Sequence, residues 1–421
     1  MVTRKIVNIY RVLFAMNFTL RKNKKQTPGI LYSCLDVDRY ASIHGKMFSP
    51  LLASIHEYYK INFIAINVTH SISFYPSCKI LNGHISLNFH IIKISLYHKL
   101  ISILKTHKKS VVIEEKKKEQ LYEFIIKSNN IKIIFAIQPP HELCVAAHNL
   151  SVKVVEPLHG MNLSVNDTIF RNTLQRVCDN RLPNFYLAFD RQTFTTLNIF
   201  LDGRTPKIFQ IPHPWHVECN KNFSTLIENK FESQQKFDGF DKIILLSLQW
   251  GYDGERDIFN GLLSNGVIHD AILEVIQKCP EFYWLIRLHP IQQKGNRYFR
   301  HRKLVYKLAQ KFNNVEFDLA TSLALPLLLN KVDGHITMSS GSAGEAAQLQ
   351  VPSLMLCRTL REGGEMFGAF SNINNKDLIS FQEPSPDNVC NWINQLGKRI
   401  DRFGYEYSEK QVQIVLSQLF V

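Results

Sequence analysis

Absences bound this chain before any motif does. Its eight cysteines, at 34, 78, 144, 178, 219, 279, 357 and 390, form no CxxC pair, and none stands beside a histidine at metal-ligand spacing. Several lie inside apolar runs such as SLMLC, where a thiol packs as a small hydrophobe; the chain is therefore expected to be reduced and cytoplasmic. No clean apolar run reaches about 18 residues, so no membrane-spanning helix is expected. The one candidate targeting segment, RVLFAMNFTL at 11–20, is too short to span, is interrupted by Asn17 and lacks a small-residue cleavage site. Residues 1–27 accordingly read as a mobile extension or a weak interfacial anchor. Lysine clusters occur without an aromatic RNA-binding pattern, zinc-finger spacing or heptads, so nucleic acid is not an expected partner. A DxD motif is missing from any suitable place, and no metal is expected.

What is present fits a globular chain of 421 residues, 45% hydrophobic and 20% charged, long enough for two domains. The formal net charge of +14 points to an anionic partner. RKNKK (21–25), KTHKK (105–109) and EEKKKE (114–119) concentrate this charge in the first third. Peripheral attachment to an anionic inner membrane surface is one consequence.

Apolar periodicity organises the rest. Short apolar runs at 30–35, 61–68, 131–137, 152–160, 185–190 and 208–212 alternate with helical stretches at about 45–59 and 85–105, with PPHELCVAAHNL, and with the segment after 190. After two prolines in IPHPWHVECN (211–220) the alternation restarts: DKIILLSLQW, YWLIRLHP, VEFD, GHITMSS and SLMLC are the strands, with helices between. The reading is α/β, with an N-terminal Rossmann-like domain over 28–215, a second over 216–400 and a C-terminal helix over 401–421. Such paired domains bind ligands in the cleft at the carboxyl ends of their sheets.

Two strand ends in the second half carry groups that hold anions. FYWLIRLHPIQ ends on Arg287, His289 and Pro290, and GHITMSSGSAGEAAQLQ ends on Ser339, Ser340, Gly341 and Ser342 before a helix containing Glu345. Free N–H groups at a helix start, glycine at 341 and 344, and three hydroxyls suit a phosphate. Gln249, ending the first strand of this half, lines the same cleft. This predicts a nucleoside mono- or diphosphate site. A base for an acceptor hydroxyl is expected from the first domain. Glu156 and His159 interrupt the apolar run VVEPLHGMN, and Asp36 and Asp38 follow the first strand.

Over about 240–370 the chain resembles GT-B glycosyltransferases of bacterial surface-polysaccharide synthesis with a His-Pro motif and a later Ser-Ser or Ser-Thr motif. That group includes bacterial sialyltransferases and the capsule transferases of 3-deoxy-octulosonic acid. The resemblance implies a GT-B fold, two doubly wound domains facing a central cleft, and donor-phosphate contacts from His289, beside Pro290, and from Ser339 and Ser340. A strand ending in a His-Gly pair, here His159 and Gly160, also resembles polysaccharide-synthesis transferases. The resemblance further implies an acidic residue holding the donor ribose in RTLREGGEMFG, either Glu362 or Glu365. One motif departs: the acidic-acidic-glycine sequence that sialyltransferases carry in the first domain has its only counterpart in YDGE at 252–255, in the second half.

The expected activity is transfer of a sugar, with inversion and without a metal, from a CMP- or UDP-linked donor to a glycan or lipid-linked acceptor in O-antigen or capsule synthesis. The nucleotide-sugar is a co-substrate, and no further cofactor is expected. The alternatives are a sugar-nucleotide epimerase of the same fold and a non-catalytic basic module binding an anionic polymer.

Overall fold

Strands that are apolar at every position must be covered on both faces, and this chain builds two sheets of that kind. The computed structural model describes residues 28–34, 41–43, 46–59, 63–69, 79–80, 84–104, 107–158, 163–218, 239–252, 259–293, 297–364, 366–371, 375–397 and 409–419. In chain order the elements of the first half are β1 (Gly29–Cys34), β2 (Ala41–Ile43), β3 (Lys46–Phe48), α1 (Pro50–Glu57), β4 (Ile64–Thr69), β5 (Lys79–Ile80) and β6 (His84–Ser86). Then come α2 (Asn88–Leu104), α3 (His107–Ser128), β7 (Ile131–Ala136), α4 (His141–Asn149), β8 (Lys153–Pro157), α5 (Thr168–Arg176), β9 (Phe185–Ala188), α6 (Arg191–Phe200) and β10 (Lys207–Gln210). A short crossover helix, α7 (Pro214–Glu218), follows.

The second half holds β11 (Lys242–Ser247), α8 (Asp270–Lys278), β12 (Phe282–Arg287), α9 (Phe299–Lys311), β13 (Val315–Glu316), α10 (Asp318–Ser322), α11 (Leu325–Leu329) and β14 (Gly334–Thr337). It closes with α12 (Ser342–Gln348), β15 (Ser353–Met355), β16 (Ile379–Phe381), α13 (Pro386–Gln395) and α14 (Glu409–Gln418).

The first sheet is seven-stranded in the order β10-β9-β8-β7-β1-β4-β6, and the second six-stranded in the order β13-β12-β11-β14-β15-β16. Every pairing within these two sheets is parallel. Each sheet starts near its middle, builds outward to one edge, then returns to build the other; this is the doubly wound order. A small sheet of β2, β3 and β5 lies beside the first.

Two apolar clusters coat each large sheet. Ile30, Tyr32, Ile133 and Phe135 pack under α1 on one face of the first, while Leu31, Val68, Ile134 and Val154 pack under α3 and α4 on the other. In the second sheet Trp284, Ile286 and Ile336 meet α8 and α13, and Leu245, Tyr283 and Leu285 meet α10 and α11.

Several elements differ from the sequence reading, among them β6, which precedes α2 where one helix is expected over 85–105. The stretch 45–59 is not one helix: β3 precedes α1, which begins where Ser49 caps Leu52 N–H and Pro50 occupies the first turn. The lysine clusters at 105–119 are largely helical, because α3 carries Leu121, Tyr122, Ile125 and Ile126 as an inward stripe behind them. The short edge strand β16 was not foreseen; with three residues it has no resolvable period. The C-terminal helix α14 packs on the first sheet, placing Val412, Leu416 and Leu419 in the cluster with Ile30 and Phe135. The Tyr59 hydroxyl donates to the Leu416 carbonyl at 2.5 Å.

Candidate functional site

In a doubly wound sheet the strands on either side of the reversal point send their loops apart, and a crevice opens at their carboxyl ends. In the second half that point lies between β11 and β14, neighbours paired from Ile244↔Gly334 to Ser247↔Thr337. Gln249 and Ser339, each two residues past its strand, meet there. The Ser339 backbone N–H and Oγ donate to Gln249 Oε1 at 3.0 and 3.1 Å. The Tyr252 hydroxyl lies 2.9 Å from Ser339 Oγ.

The loop after β12 joins the same network through Gln292, which is fully buried. Its Nε2 donates to the Gln249 carbonyl at 3.2 Å and lies 3.0 Å from His301 Nδ1, while its Oε1 accepts the His289 N–H at 2.9 Å. Carboxyl ends of three adjacent strands are thus tied by two glutamine side chains. Gln249, His289, Pro290, Ser340 and Gly341 remain partly exposed around this net. His289 Nδ1 accepts the Ile291 N–H at 3.3 Å, which leaves the ring proton of the neutral imidazole on Nε2.

Past Ser339 the chain turns into α12. Ser340 Oγ accepts the Ser342 N–H at 3.2 Å, and the Ser340 carbonyl accepts the Ala343 N–H. Beneath this turn sits His335, completely buried on β14. Its Nε2 lies 2.9 Å from Ser247 Oγ and 3.3 Å from Ser342 Oγ, and its Nδ1 lies 3.0 Å from Ser353 Oγ. One imidazole therefore connects β11, β14, β15 and the start of α12. Burial lowers its pKa to about 3, so the ring is neutral.

Other sequence candidates have different partners. Arg287 is buried as the last residue of β12, and its Nη1 donates to the carbonyls of Ala320 and Leu323 at 2.6 and 2.5 Å, at the end of α10. It shares the sheet face of Tyr283 and Leu285, a strand alternation the apolar run concealed. Glu345, half-buried in α12, receives His216 Nε2 at 2.9 Å from the crossover helix α7. His216 is fully buried and stacks on His213 at 4.4 Å, which in turn lies 4.4 Å from the Phe189 ring of the first half. Desolvation, reinforced by His216, holds the His213 pKa well below the ordinary imidazole value. Glu362 is exposed on a turn where Gly364 passes so close to Thr359 that an added Cβ would lie 2.3 Å from its carbonyl oxygen.

In the first half the reversal point lies between β1 and β7, and of the candidate catalytic groups Glu156 is described, on the neighbouring β8. Glu156 on β8 is buried, and its Oε1 accepts the N–H of Gln138 at 3.3 Å, just past β7. Gln138 adopts φ 50°, which turns that N–H toward the carboxyl group. Burial pushes the Glu156 pKa up to about 8. His159, Asp36, Asp38 and Glu365 lie outside the described residues. Gln292, Tyr252, His335 and the His213–His216 pair were not singled out from sequence. HPIQQ and PHPWH contain three of them, but their partners are remote in sequence.

Neither a family model nor a curated protein matches the chain. Solved structures do. The wall teichoic acid polymerase TagF superimposes with a TM-score of 0.56 at 13% identity, covering 99% of this chain and 94% of that one. UDP-GlcNAc 2-epimerase from Neisseria meningitidis, bound to UDP-GlcNAc, gives 0.53 at 14% identity over 93% and 99%. MnaA of S. aureus with UDP gives 0.53 at 13% over 92% of each chain. With two doubly wound domains of this order, the chain has the GT-B fold.

Proposed function

We propose that this chain is a nucleotide-sugar-dependent glycosyltransferase of bacterial surface-polysaccharide synthesis. One observation carries the reading. At the reversal point of the second sheet, Gln249 and Ser339 are bonded side chain to loop, and the partly exposed His289, Ser340 and Gly341 stand around them. A donor phosphate placed there meets the Ser340 hydroxyl, the loop backbone and the His289 Nε2–H. These groups stabilise the charge that develops on the leaving nucleotide. Ser339, already bonded to Gln249 and Tyr252, holds the loop in shape; Arg287 and Glu345 support the surrounding elements.

The acceptor hydroxyl needs a base from the opposite sheet. Glu156, at the first half's strand ends with its pKa raised to about 8 by burial, is the candidate we favour, acting in its ionised form, with His159 and Asp38 as further candidates. The donor is a CMP- or UDP-linked sugar, and the acceptor a glycan or lipid-linked saccharide.

A thermal-shift screen with CMP, UDP, GDP and dTDP tests the donor half, because a ligand that binds only the folded chain raises its melting temperature. CMP or UDP is expected to do so, and Ser340→Ala with His289→Ala to lower that nucleotide's affinity by roughly tenfold or more. A nucleotide that binds wild type and this variant equally overturns the site. For the base, Glu156→Gln and His159→Ala are expected to leave nucleotide affinity unchanged, and for whichever residue is the base transfer falls by roughly 10²–10⁴-fold.

A second reading has specific support. Epimerases superimpose about as well as the polymerase and cover the chain almost completely. Incubation with UDP-GlcNAc alone distinguishes the two: epimerisation at C2 without an acceptor, followed by NMR, favours the epimerase.

A further inference from the structure

Cys279 and Cys390 stand 111 positions apart in the sequence, yet their sulfurs lie 3.6 Å from one another. Each sits where the inward stripe of a helix reaches the surface. On α8 the stripe runs through Ile272, Val275 and Ile276 to Cys279, the residue that caps the helix. On α13 it holds Val389, Trp392 and Ile393, with Cys390 at its edge. Both cysteines pack against the apolar cluster of Trp284 and Ile336 but stay partly exposed, whereas Cys34, Cys144 and Cys357 are buried. A thiol that served only as a small hydrophobe would gain from full burial.

The backbones that carry the pair are fixed. The Cys279 N–H donates to the Val275 carbonyl at 2.9 Å, and the Cys279 carbonyl accepts the Phe282 N–H at 3.2 Å. Ser385 caps the start of α13, and beyond its last turn the Leu396 carbonyl accepts Lys242 Nζ at 2.8 Å. Contact between the sulfurs is therefore a property of the fold and needs no rearrangement of the helices. The two thiols are not equivalent. Asn394 Nδ2, one turn along α13, donates to Cys390 Sγ at 3.7 Å and favours negative charge there. Burial, reinforced by the neighbouring Cys390 sulfur, raises the Cys279 pKa, so that thiol keeps its proton. Among the described residues the pair belongs to no group of three or more side chains that could hold a metal ion.

We propose that Cys279 and Cys390 are a reversible oxidation site, at which hydrogen peroxide forms a disulfide that locks α13 to α8. The Cys390 thiolate attacks one peroxide oxygen, the O–O bond breaks and hydroxide leaves, giving a sulfenic acid. The Cys279 sulfur then attacks the sulfenic sulfur, and its proton departs with the sulfenic hydroxyl as water. In sum two thiols and one peroxide give one disulfide and two waters; each sulfur is oxidised by one electron and the peroxide is reduced. A dithiol reductant reverses the step by exchange, so in a reducing compartment the disulfide is the transient state. What it locks lies under β14: Leu396 and Trp392 press so closely on Gly334 that an added Cβ would fall 2.6 and 2.8 Å from them. The proposal is independent of the reaction catalysed.

Peptide mapping of the full chain is the test. The reduced protein is treated with one equivalent of hydrogen peroxide, alkylated, and digested without reductant. Wild type is expected to yield a linked Cys279–Cys390 peptide pair, two hydrogens lighter than the separate peptides, and dithiothreitol to restore both thiols. The oxidised chain is expected to melt about 4 °C or more above the reduced one, because the bond closes a long loop in the unfolded state. Cys279→Ser is expected to leave Cys390 as a sulfenic acid that dimedone traps, and Cys390→Ser to leave Cys279 unlabelled. The wild-type map decides the link even where a variant folds poorly. Alkylation of both thiols after peroxide overturns the proposal, as does sulfinic acid on either in wild type. A linked pair with an unchanged melting temperature overturns the lock, and equal dimedone labelling of the two variants overturns the assignment of roles.

Discussion

Glu156 and His335 are buried titratable groups whose ionisation is displaced in opposite directions, and each gives stability a pH dependence of definite sign. Glu156 holds its proton up to about pH 8 in the fold, against 4.5 as an ordinary carboxyl. The native state therefore binds this proton more tightly than the unfolded chain; the contribution is fully present below pH 4.5 and is lost as pH rises to 8. Glu156→Gln removes that loss, and urea denaturation should show the variant gaining on wild type by up to about 1.4 kcal/mol per pH unit across this window. His335 runs the other way, with about 3 in the fold against 6.5, so its contribution is complete above pH 6.5 and falls away toward pH 3. His335→Leu leaves the hydroxyls of Ser247, Ser342 and Ser353 without the imidazole. It should cost about 1–3 kcal/mol at pH 7.5, a deficit that narrows below pH 6.5 in the same urea titration. At this scale the sequence was partly readable. Gln249, His289 and Ser339 stood out because polar residues ended apolar runs. His335 did not, because a histidine inside GHIT looks like core until the serines of two other strands are seen beside it.

Among the elements, the strands of the two main sheets were the most legible, because a strand covered on both faces leaves a continuous apolar run in the sequence. The helix α3 was not, since a lysine-rich stretch reads as solvated until Tyr122, Ile125 and Ile126 are set at helical spacing. The helix α14 was visible as a helix, but its destination on the first sheet was not, because nothing local in EKQVQIVLSQ names a partner across the whole chain. Its anchoring is nonetheless substantial: Val412, Leu416 and Leu419 are at most 1% exposed. Leu416→Ala should destabilise the protein by about 2–5 kcal/mol, measured by chemical denaturation. Ser385, whose Oγ accepts the Asn388 N–H at 3.1 Å ahead of Pro386, offers a smaller test. Ser385→Ala should cost about 1 kcal/mol through loss of the α13 cap.

At the scale of the whole molecule, the two halves are joined by named contacts as well as by the chain. His216 reaches Glu345 at 2.9 Å, Gln348 Nε2 donates to the Phe189 carbonyl at 3.1 Å, and Asn166 donates to the Phe367 carbonyl at 3.1 Å. Removing the imidazole in His216→Ala should loosen this seam, and small-angle scattering should record a larger radius of gyration with unchanged circular dichroism. An unchanged scattering profile would mean that the remaining contacts, those of Gln348 and Asn166 and the bond from Gln192 Nε2 to the Ala369 carbonyl among them, hold the halves together. The return of α14 to the first sheet has one more consequence, for the order in which the protein is made. The strands from β1 to β10 leave the ribosome first, yet the face bearing Ile30 and Phe135 waits for Val412, Leu416 and Leu419, the last of its cover. At about 5–20 residues per second, some 200 residues of intervening chain keep that apolar face open for tens of seconds. During this interval the nascent first half exposes apolar surface of the kind that chaperones bind, and its cover arrives only after the second half has been made.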